Sequence, residues 1–256
     1  MPRADPIFQT RLASTEADLR AAQRLRYDVF VRELGGGGAG VDHEAGLEAD
    51  IFDPVYDHLL LEDQSRPDDS VVGVYRLMPG SRVAEIGTFY TEGEYDIAPL
   101  RKGGRELLEL GRSCLHRDYR GGTALAEMWR ALAAYVVERN IEILFGVASF
   151  HGTDVEKLGQ PLSHLYDRHL APEDLRVTAL SENARRMDII APDQIDRLAA
   201  VKAIPALIKG YLRLGGFVGD GAFIDHAFNT TDVCLVIDVN RMSEKHRGFY
   251  TESGSK

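Results

Sequence analysis

Short apolar runs alternate along this chain with charged stretches of helical spacing, and each spacing predicts an element. HLLLE within Tyr56–Glu62 and VVGVYRLM within Ser70–Met78 are apolar over strand length. They flank the polar turn Gln64–Asp69, so they predict two paired strands. Ile7–Ala13 predicts a first strand. Thr15 followed by Asp18 has the form of a capped helix start, and Leu19, Ala22, Leu25, Val29 and Phe30 carry a helical stripe through Leu34. The run Gly35–Gly40 must end that helix and predicts a flexible connector.

Further on, Val83–Thr91 predicts a short strand or loop. Glu106–Leu115 predicts a strand, and Thr123–Asn140 a helix with the stripe Ala124, Met128, Leu132, Tyr135 and Val136. Ile141–Phe150 is nearly all apolar, as in a strand buried on both faces. A loop and helix follow over His151–His169, and Leu175–Leu180 predicts another strand. A helix is expected from Pro192 to Arg213, broken at Pro205, whose ring cannot sit in a helix interior. Gly215–Ile224 and Asp232–Val239 predict two closing strands. The mixture implies an α+β class, with helices flanking one mixed central sheet. No linker interrupts it, so a single domain over 1–256 is expected, with a frayed tail from about 244.

The chain has 256 residues and a net charge of -10, which argues against wholesale binding to nucleic acid. Its two cysteines, Cys114 and Cys234, have no disulfide framework around them and suggest free thiols in a reducing cytoplasm. No run reaches the ~20 apolar residues of a membrane span. The opening MPRADPIFQTRLAS lacks the apolar core of a signal peptide. Ala199–Leu214, with Lys202, Lys209 and Arg213, is amphipathic enough for peripheral contact with the inner membrane surface, although a core helix explains it more economically.

The candidate chemistry centres on Glu106–Arg139. A strand bearing Glu109 and Arg112 leads into Arg117, Arg120, Gly121 and Gly122 and then a long helix. Glycines opening a helix let backbone N–H groups meet a phosphate. A carboxylate beside such a site can take the proton that an amine must lose to attack a thioester. Glu109 and Arg112 are three residues apart, so strict alternation puts them on opposite faces, and a bulge is needed to bring them together.

ELGRSCLHRDYR followed by GGTALAEMWRALAAYV resembles the core of the GNAT acyltransferase superfamily. GVYRLMPG, ADIFDPVYDHLLLED and the C-terminal IPALIKGYLRLGGFVGDGAFIDHAFNTTDVCLVIDV narrow it. They resemble the branch of acyl-homoserine-lactone synthases and, more closely, the ornithine-lipid N-acyltransferases, over roughly Leu25 to Val239. The resemblance implies a GNAT-like α/β sandwich with a family-specific C-terminal extension. The pattern of Arg, Phe, two Asp, Arg, Glu and Arg in the autoinducer synthases has matches at Arg26, Phe30, Asp50, Asp53, Arg76, Glu109 and Arg112. The tryptophan expected after the first helix is missing, with Gly35–Gly40 in its place. Arg117–Gly122 is a loose version of the family's phosphate loop, which favours an acyl carrier protein donor over acetyl-CoA.

The implied activity is transfer of a 3-hydroxyacyl group from acyl carrier protein to the α-amine of ornithine, giving lyso-ornithine lipid. The only cofactor-like group is the carrier's acyl-phosphopantetheine, which is a substrate. Glu109 relays the proton, and backbone N–H groups near Arg112–Cys114 polarise the carbonyl. Asp50 and Asp53 suit the ammonium groups of ornithine, and Arg26 or Arg76 its carboxylate. Arg101, Lys102 and Arg105 suit the acidic surface of a carrier protein. The alternatives are an autoinducer synthase and a non-catalytic acyl-carrier or lipid-binding protein. No metal is expected, since His164 and His169 lack the spacing of a helical zinc pair.

Overall fold

The computed structural model describes residues 5–38, 40–66, 68–180 and 182–242, so the tail expected to fray lies outside the described residues. The strands of the main sheet are β1 (Phe8–Leu12), β2 (Asp57–Asp63), β3 (Val71–Pro79), β4 (Leu107–Leu115), β5 (Ile143–His151), β6 (Ala184–Arg185), β7 (Phe217–Val218), β8 (Ala222–Asp225) and β9 (Thr230–Asp238). The order across the sheet is β1-β2-β3-β4-β5-β9-β8-β6, with β7 also paired to β9. β4 and β5 run parallel, whereas β1–β2, β2–β3, β5–β9, β8–β9 and β6–β8 are antiparallel. The helices are α1 (Glu16–Arg26), α2 (Ala98–Lys102), α3 (Ala124–Glu138), α4 (Gly159–His169), α5 (Arg197–Ala203) and α6 (Ala206–Arg213). This is the mixed sheet with flanking helices that the pattern predicts.

Among the described residues, internal contacts divide the chain into two units. One draws on residues 5–78 and Leu110–Asn140, the other on Pro79–Glu109 and residues 141–242. In the first unit, Thr15 and Asp18 form the expected capping box at the start of α1. The expected single helix to Leu34 instead changes pitch: after Arg26 the chain continues as a π-helical segment, Tyr27–Glu33. Such segments recur at functional sites because they re-aim the side chains around them. α3 packs on β1 and β2. It buries the predicted stripe together with Ala133. Gly73 on β3 makes room for it, since a Cβ there would stand 2.6 Å from Met128 Sδ.

The glycine run is hydrogen-bonded at both ends. Gly36 N–H donates to Phe30 O at 2.8 Å, and Gly40 O accepts from Ala49 N–H at 2.8 Å. Side by side with the latter contact, the Gly40 backbone leaves no room for a side chain: a Cβ would fall 1.7 Å from Ala49 O.

In the second unit, β5 and β9 pair along nine residues, from Ile143↔Asp238 to His151↔Thr230. β5 is buried from Ile143 to Gly146, and β9 from Thr231 to Asp238. Pro205 separates α5 from α6, as expected. The helix expected from Pro192 begins later, because Asp196 is the residue whose side chain accepts from Leu198 N–H and Ala199 N–H, both at 3.0 Å. Pro192–Gln194 is a 3-10 turn. Val83–Thr91 holds parts of two 3-10 turns, Gly80–Glu85 and Tyr90–Gly93. Of the strand expected over Leu175–Leu180, only Thr178–Ala179 pairs, with Tyr95–Asp96.

Candidate active site

Five of the candidate residues meet in one ionic network of the first unit, on side chains from α1, the loop after the Leu47–Glu48 strand, β3 and β4. Arg26, at the last α-helical position before the π segment, is fully buried. Its Nε donates to Glu48 Oε2 at 2.5 Å, and its Nη1 and Nη2 donate to Asp53 Oδ1 and Oδ2 at 2.6 and 3.1 Å. Arg76 Nη1 donates to Asp50 Oδ1 at 2.7 Å and Asp53 Oδ1 at 2.9 Å. Arg112 Nε donates to Glu48 Oε1 at 3.1 Å. Its Nη2 reaches Asp50 Oδ2 at 3.5 Å. Gln23 Nε2 adds a bond to Asp53 Oδ2 at 2.9 Å. The Arg76 guanidinium also lies over the Tyr56 ring, 4.6 Å from its centroid.

Three arginines thus balance three carboxylates, the condition under which buried charges are tolerated. Burial pushes the Asp53 carboxyl up, but the charges of Arg26 and Arg76 and the bonds from Arg26 and Gln23 outweigh it and hold it below the usual carboxylate range. His58 sits beneath, its Nε2 3.0 Å from Asp53 O, and desolvation keeps its pKa below the ordinary value. Arg26 and Asp53 are buried and bound to each other and to further members of the network, Arg26 to Glu48 and Asp53 to Arg76 and Gln23. Asp50 and Arg112 form the network's more open edge, with side chains 19% and 12% exposed. Phe30, on the π segment, packs half-buried against the core of Ala22, Leu25, Val29, Leu60, Val74 and Cys114.

The β4 backbone departs from regular strand at Arg112, whose φ is 49°. A non-glycine residue in the left-handed region costs roughly 1–3 kcal/mol and must be over-determined by its surroundings. Here the Glu48 and Asp50 carboxylates hold the side chain. The departure interrupts strict alternation between Glu109 and the residues after it.

Arg117–Tyr119 form a 3-10 turn, followed by Arg120, Gly121 and Gly122 before α3. The loop is exposed apart from Tyr119. Gly121 has φ 78°, the conformation for which glycine is favoured. Arg120 is held at both ends: Nε donates to Leu115 O at 3.0 Å, and the guanidinium forks onto Glu33 at 2.5 and 2.9 Å. Arg117 reaches into solvent.

Glu109 lies in the second unit, 1% exposed. Its Oε2 accepts from Tyr90 N–H at 3.0 Å and its Oε1 from Thr91 N–H at 2.6 Å. The carboxylate thereby closes the start of the Tyr90–Gly93 turn, where unpaired N–H groups favour an anion. The parallel β4–β5 pairing runs from Leu107↔Ile143 to Glu109↔Phe145. Of the basic cluster, Arg101 pairs with Glu92 at 2.5 Å and Arg105 with Asp238 at 2.6 Å, while Lys102 is exposed.

Sequence reasoning missed Glu48, Gln23, Glu33 and the Tyr90–Thr91 N–H groups. Glu48 is one acidic residue among several in its loop and carries no distinguishing spacing. The backbone donors to Glu109 have no side-chain signature at all. The described residues also bring together carboxylate oxygens of Glu94, Asp225 and Asp232, all within 4.8 Å of one another, in a group that could hold a cation.

Residues 25–130 match the acetyltransferase (GNAT) domain family. The chain is 59% identical to the L-ornithine N(alpha)-acyltransferase of Rhodobacter capsulatus, over 98% of its own length and 97% of that protein's. It is 37% identical to the L-ornithine N(alpha)-acyltransferase of Brucella abortus, over 95% of its own length and 88% of that protein's. The chain belongs to the L-ornithine N(alpha)-acyltransferase family. Among solved structures, a CoA-dependent acyl-homoserine lactone synthase aligns with TM-score 0.54 at 15% identity, over 97% of this chain and 90% of that one. An N-acyl amino acid synthase from uncultured soil microbes aligns with TM-score 0.53 at 12% identity, over 94% of this chain and 98% of that one. These two likenesses show that the chain shares their fold, and the match over residues 25–130 makes that fold GNAT-like. The chemistry of this family member is acyl transfer.

Proposed function

We propose that this protein transfers a 3-hydroxy fatty acyl group from the phosphopantetheine thioester of acyl carrier protein to the α-amine of L-ornithine. The products are lyso-ornithine lipid and the free carrier thiol. The reading rests chiefly on 59% identity, across nearly the full chain, to a protein named for acylating the α-amine of ornithine.

The reaction needs an amine freed of its proton, a polarised thioester carbonyl and a leaving thiol. Ornithine's α-ammonium gives its proton to Glu109, directly or through one water. Glu109 is suited to this because the backbone N–H groups of Tyr90 and Thr91 fix the position of both its oxygens. The amine nitrogen then attacks the carbonyl carbon, forming the C–N bond. Backbone N–H groups near Arg112–Cys114 stabilise the oxyanion. As the C–S bond breaks, the nitrogen gives up its second proton, the departing sulfur takes up one proton, and Glu109 releases the other to solvent. No covalent intermediate on the protein is required.

Arg117 and Arg120, with the Gly121–Gly122 backbone, receive the phosphopantetheine phosphate. At the open edge of the ionic network, Asp50 meets an ornithine ammonium. Arg26, Asp53 and Arg76 hold that edge in shape, and Phe30 backs it from the π segment.

The test mixes purified protein, 3-hydroxypalmitoyl-acyl carrier protein and a panel of amino acids, following free thiol and identifying products by mass spectrometry. N-acyl-ornithine as the main product is the expected result. Acylation of a different amine would reject ornithine. Carrier binding without thiol release would reject catalysis.

A further inference from the structure

We propose that α5 and the exposed basic side chains around it form a docking face for an anionic lipid surface. The proposal concerns the second unit alone and does not depend on the identity of the acyl acceptor.

The apolar residues of the amphipathic stretch Ala199–Leu214 divide in the structure. Ile204, Ile208 and Tyr211 are buried, so the apolar stripe of α6 is spent on the interior. The exposed apolar side chains lie on α5: Leu198 is 82% exposed, and Val201, three residues on and therefore on the same face, is 43% exposed. Four basic residues surround them in sequence, Arg197, Lys202, Lys209 and Arg213, and no acidic residue occurs from 197 to 219. Arg197, Lys202 and Arg213 are exposed. Lys209 is half-buried, and its Nζ donates to Val201 O at 3.1 Å, tying α6 to the end of α5.

The charge is what selects the occupant. Asp196 at the start of α5 has its Oδ1 engaged by Leu198 and Ala199 N–H, and in a chain of net charge -10 the basic stretch that follows it sets one orientation on an anionic bilayer. Shallow insertion of a leucine and a valine beside lysines and arginines is the chemistry of interfacial binding. A stable protein partner needs about 800 Å² on each side, far more than two side chains on a seven-residue helix offer. Binding of this kind is reversible and weakens as salt screens the charges.

The experiment uses the full chain and co-sedimentation with vesicles of phosphatidylcholine alone or mixed with phosphatidylglycerol, at low and high salt. Expected is partition onto the phosphatidylglycerol vesicles at low salt and its loss at high salt. The double variant Leu198→Glu, Val201→Glu is expected to bind roughly tenfold less or worse. Lys202→Glu with Arg213→Glu, which leaves the apolar pair intact, is expected to lose the preference for the anionic lipid. Circular dichroism and thiol release with soluble substrates should be unchanged in both variants. Absence of wild-type binding at low salt, or equal binding to both vesicle types, would overturn the proposal. So would wild-type binding by the Leu198/Val201 variant, or a concentration-dependent dimer abolished by that variant, which would assign the face to a second copy of the chain.

Discussion

Single side chains divide here into those that do chemistry and those that keep charges tolerable in the interior. Arg26 is of the second kind, since Glu48 and Asp53 consume its hydrogen-bonding fork. Arg26→Ala leaves two carboxylates buried without their main partner and should cost about 3–5 kcal/mol in urea unfolding. A variant of unchanged stability with a raised KM for ornithine would instead make Arg26 a direct ligand. Glu109→Gln should lower kcat by roughly 10²–10⁴-fold if the carboxylate takes the proton. A folded variant with full turnover would remove Glu109 from the chemistry. The substitution also turns one acceptor into an N–H donor facing Tyr90 or Thr91, so a small fall in thermal midpoint should accompany it. Both residues were legible as candidates from their order along the chain. Their partners were not: Glu48 and the Tyr90–Thr91 N–H groups lie 22 and about 19 residues away, and no local rule links them.

At the level of elements, the Gly35–Gly40 run and the Arg117–Gly122 loop carry the consequences. Gly40 O accepts from Ala49 N–H at the base of the loop that bears Asp50 and Asp53. Gly40→Ala must push the Ala49 carbonyl away, because the new Cβ has no space. The expected result is a raised KM for ornithine with kcat less affected, measured by thiol release. In the second loop, Glu33 of the π segment holds Arg120 by a bidentate contact. Arg120→Ala should raise the KM for acyl carrier protein while leaving ornithine saturation unchanged. A change in the ornithine KM alone would separate this loop from the donor. The capping box at Thr15, the stripe of α3 and the break at Pro205 were readable because they are local rules of spacing and ring chemistry. The expected start at Pro192 opens only a 3-10 turn, and α5 begins at Arg197, where the Asp196 side chain accepts from the Leu198 and Ala199 N–H groups.

Stability of the chain as a unit should fall steeply in acid. Asp18, Asp53 and Asp63 all have folded-state pKa values below the unfolded value of about 3.9. Asp63, which burial alone would raise, is held at about 2 by bonds from Tyr119, Ser65 and Ile7. A depressed carboxyl adds stability above its unfolded pKa, and that stability is lost as pH falls through the folded one. Unfolding midpoints should therefore be flat near neutrality and drop between pH about 4 and about 2, with Asp63→Asn showing a shallower drop. An equally steep limb in that variant would assign the acid sensitivity elsewhere. Both cysteines are free and buried, and desolvation pushes Cys114 up to about 12. The folded protein should not react with a disulfide reagent, and two thiols should appear on denaturation.

Alternation, helical spacing and capping residues were enough to assign the long strands of the sheet, the helix after Gly122 and the α+β class, because each depends on neighbours a few positions away. Motif order was enough to point to Glu109, Arg112 and the arginine and aspartate set. Long-range packing settled the rest. It matched three arginines to three carboxylates, one of them unanticipated. It bent β4 at Arg112, gave Glu109 its backbone donors, and buried the stripe of α6 while leaving Leu198 and Val201 outside. Charge neutralisation and burial are properties of atoms brought together from distant parts of the chain, so the order of residues alone does not reveal them.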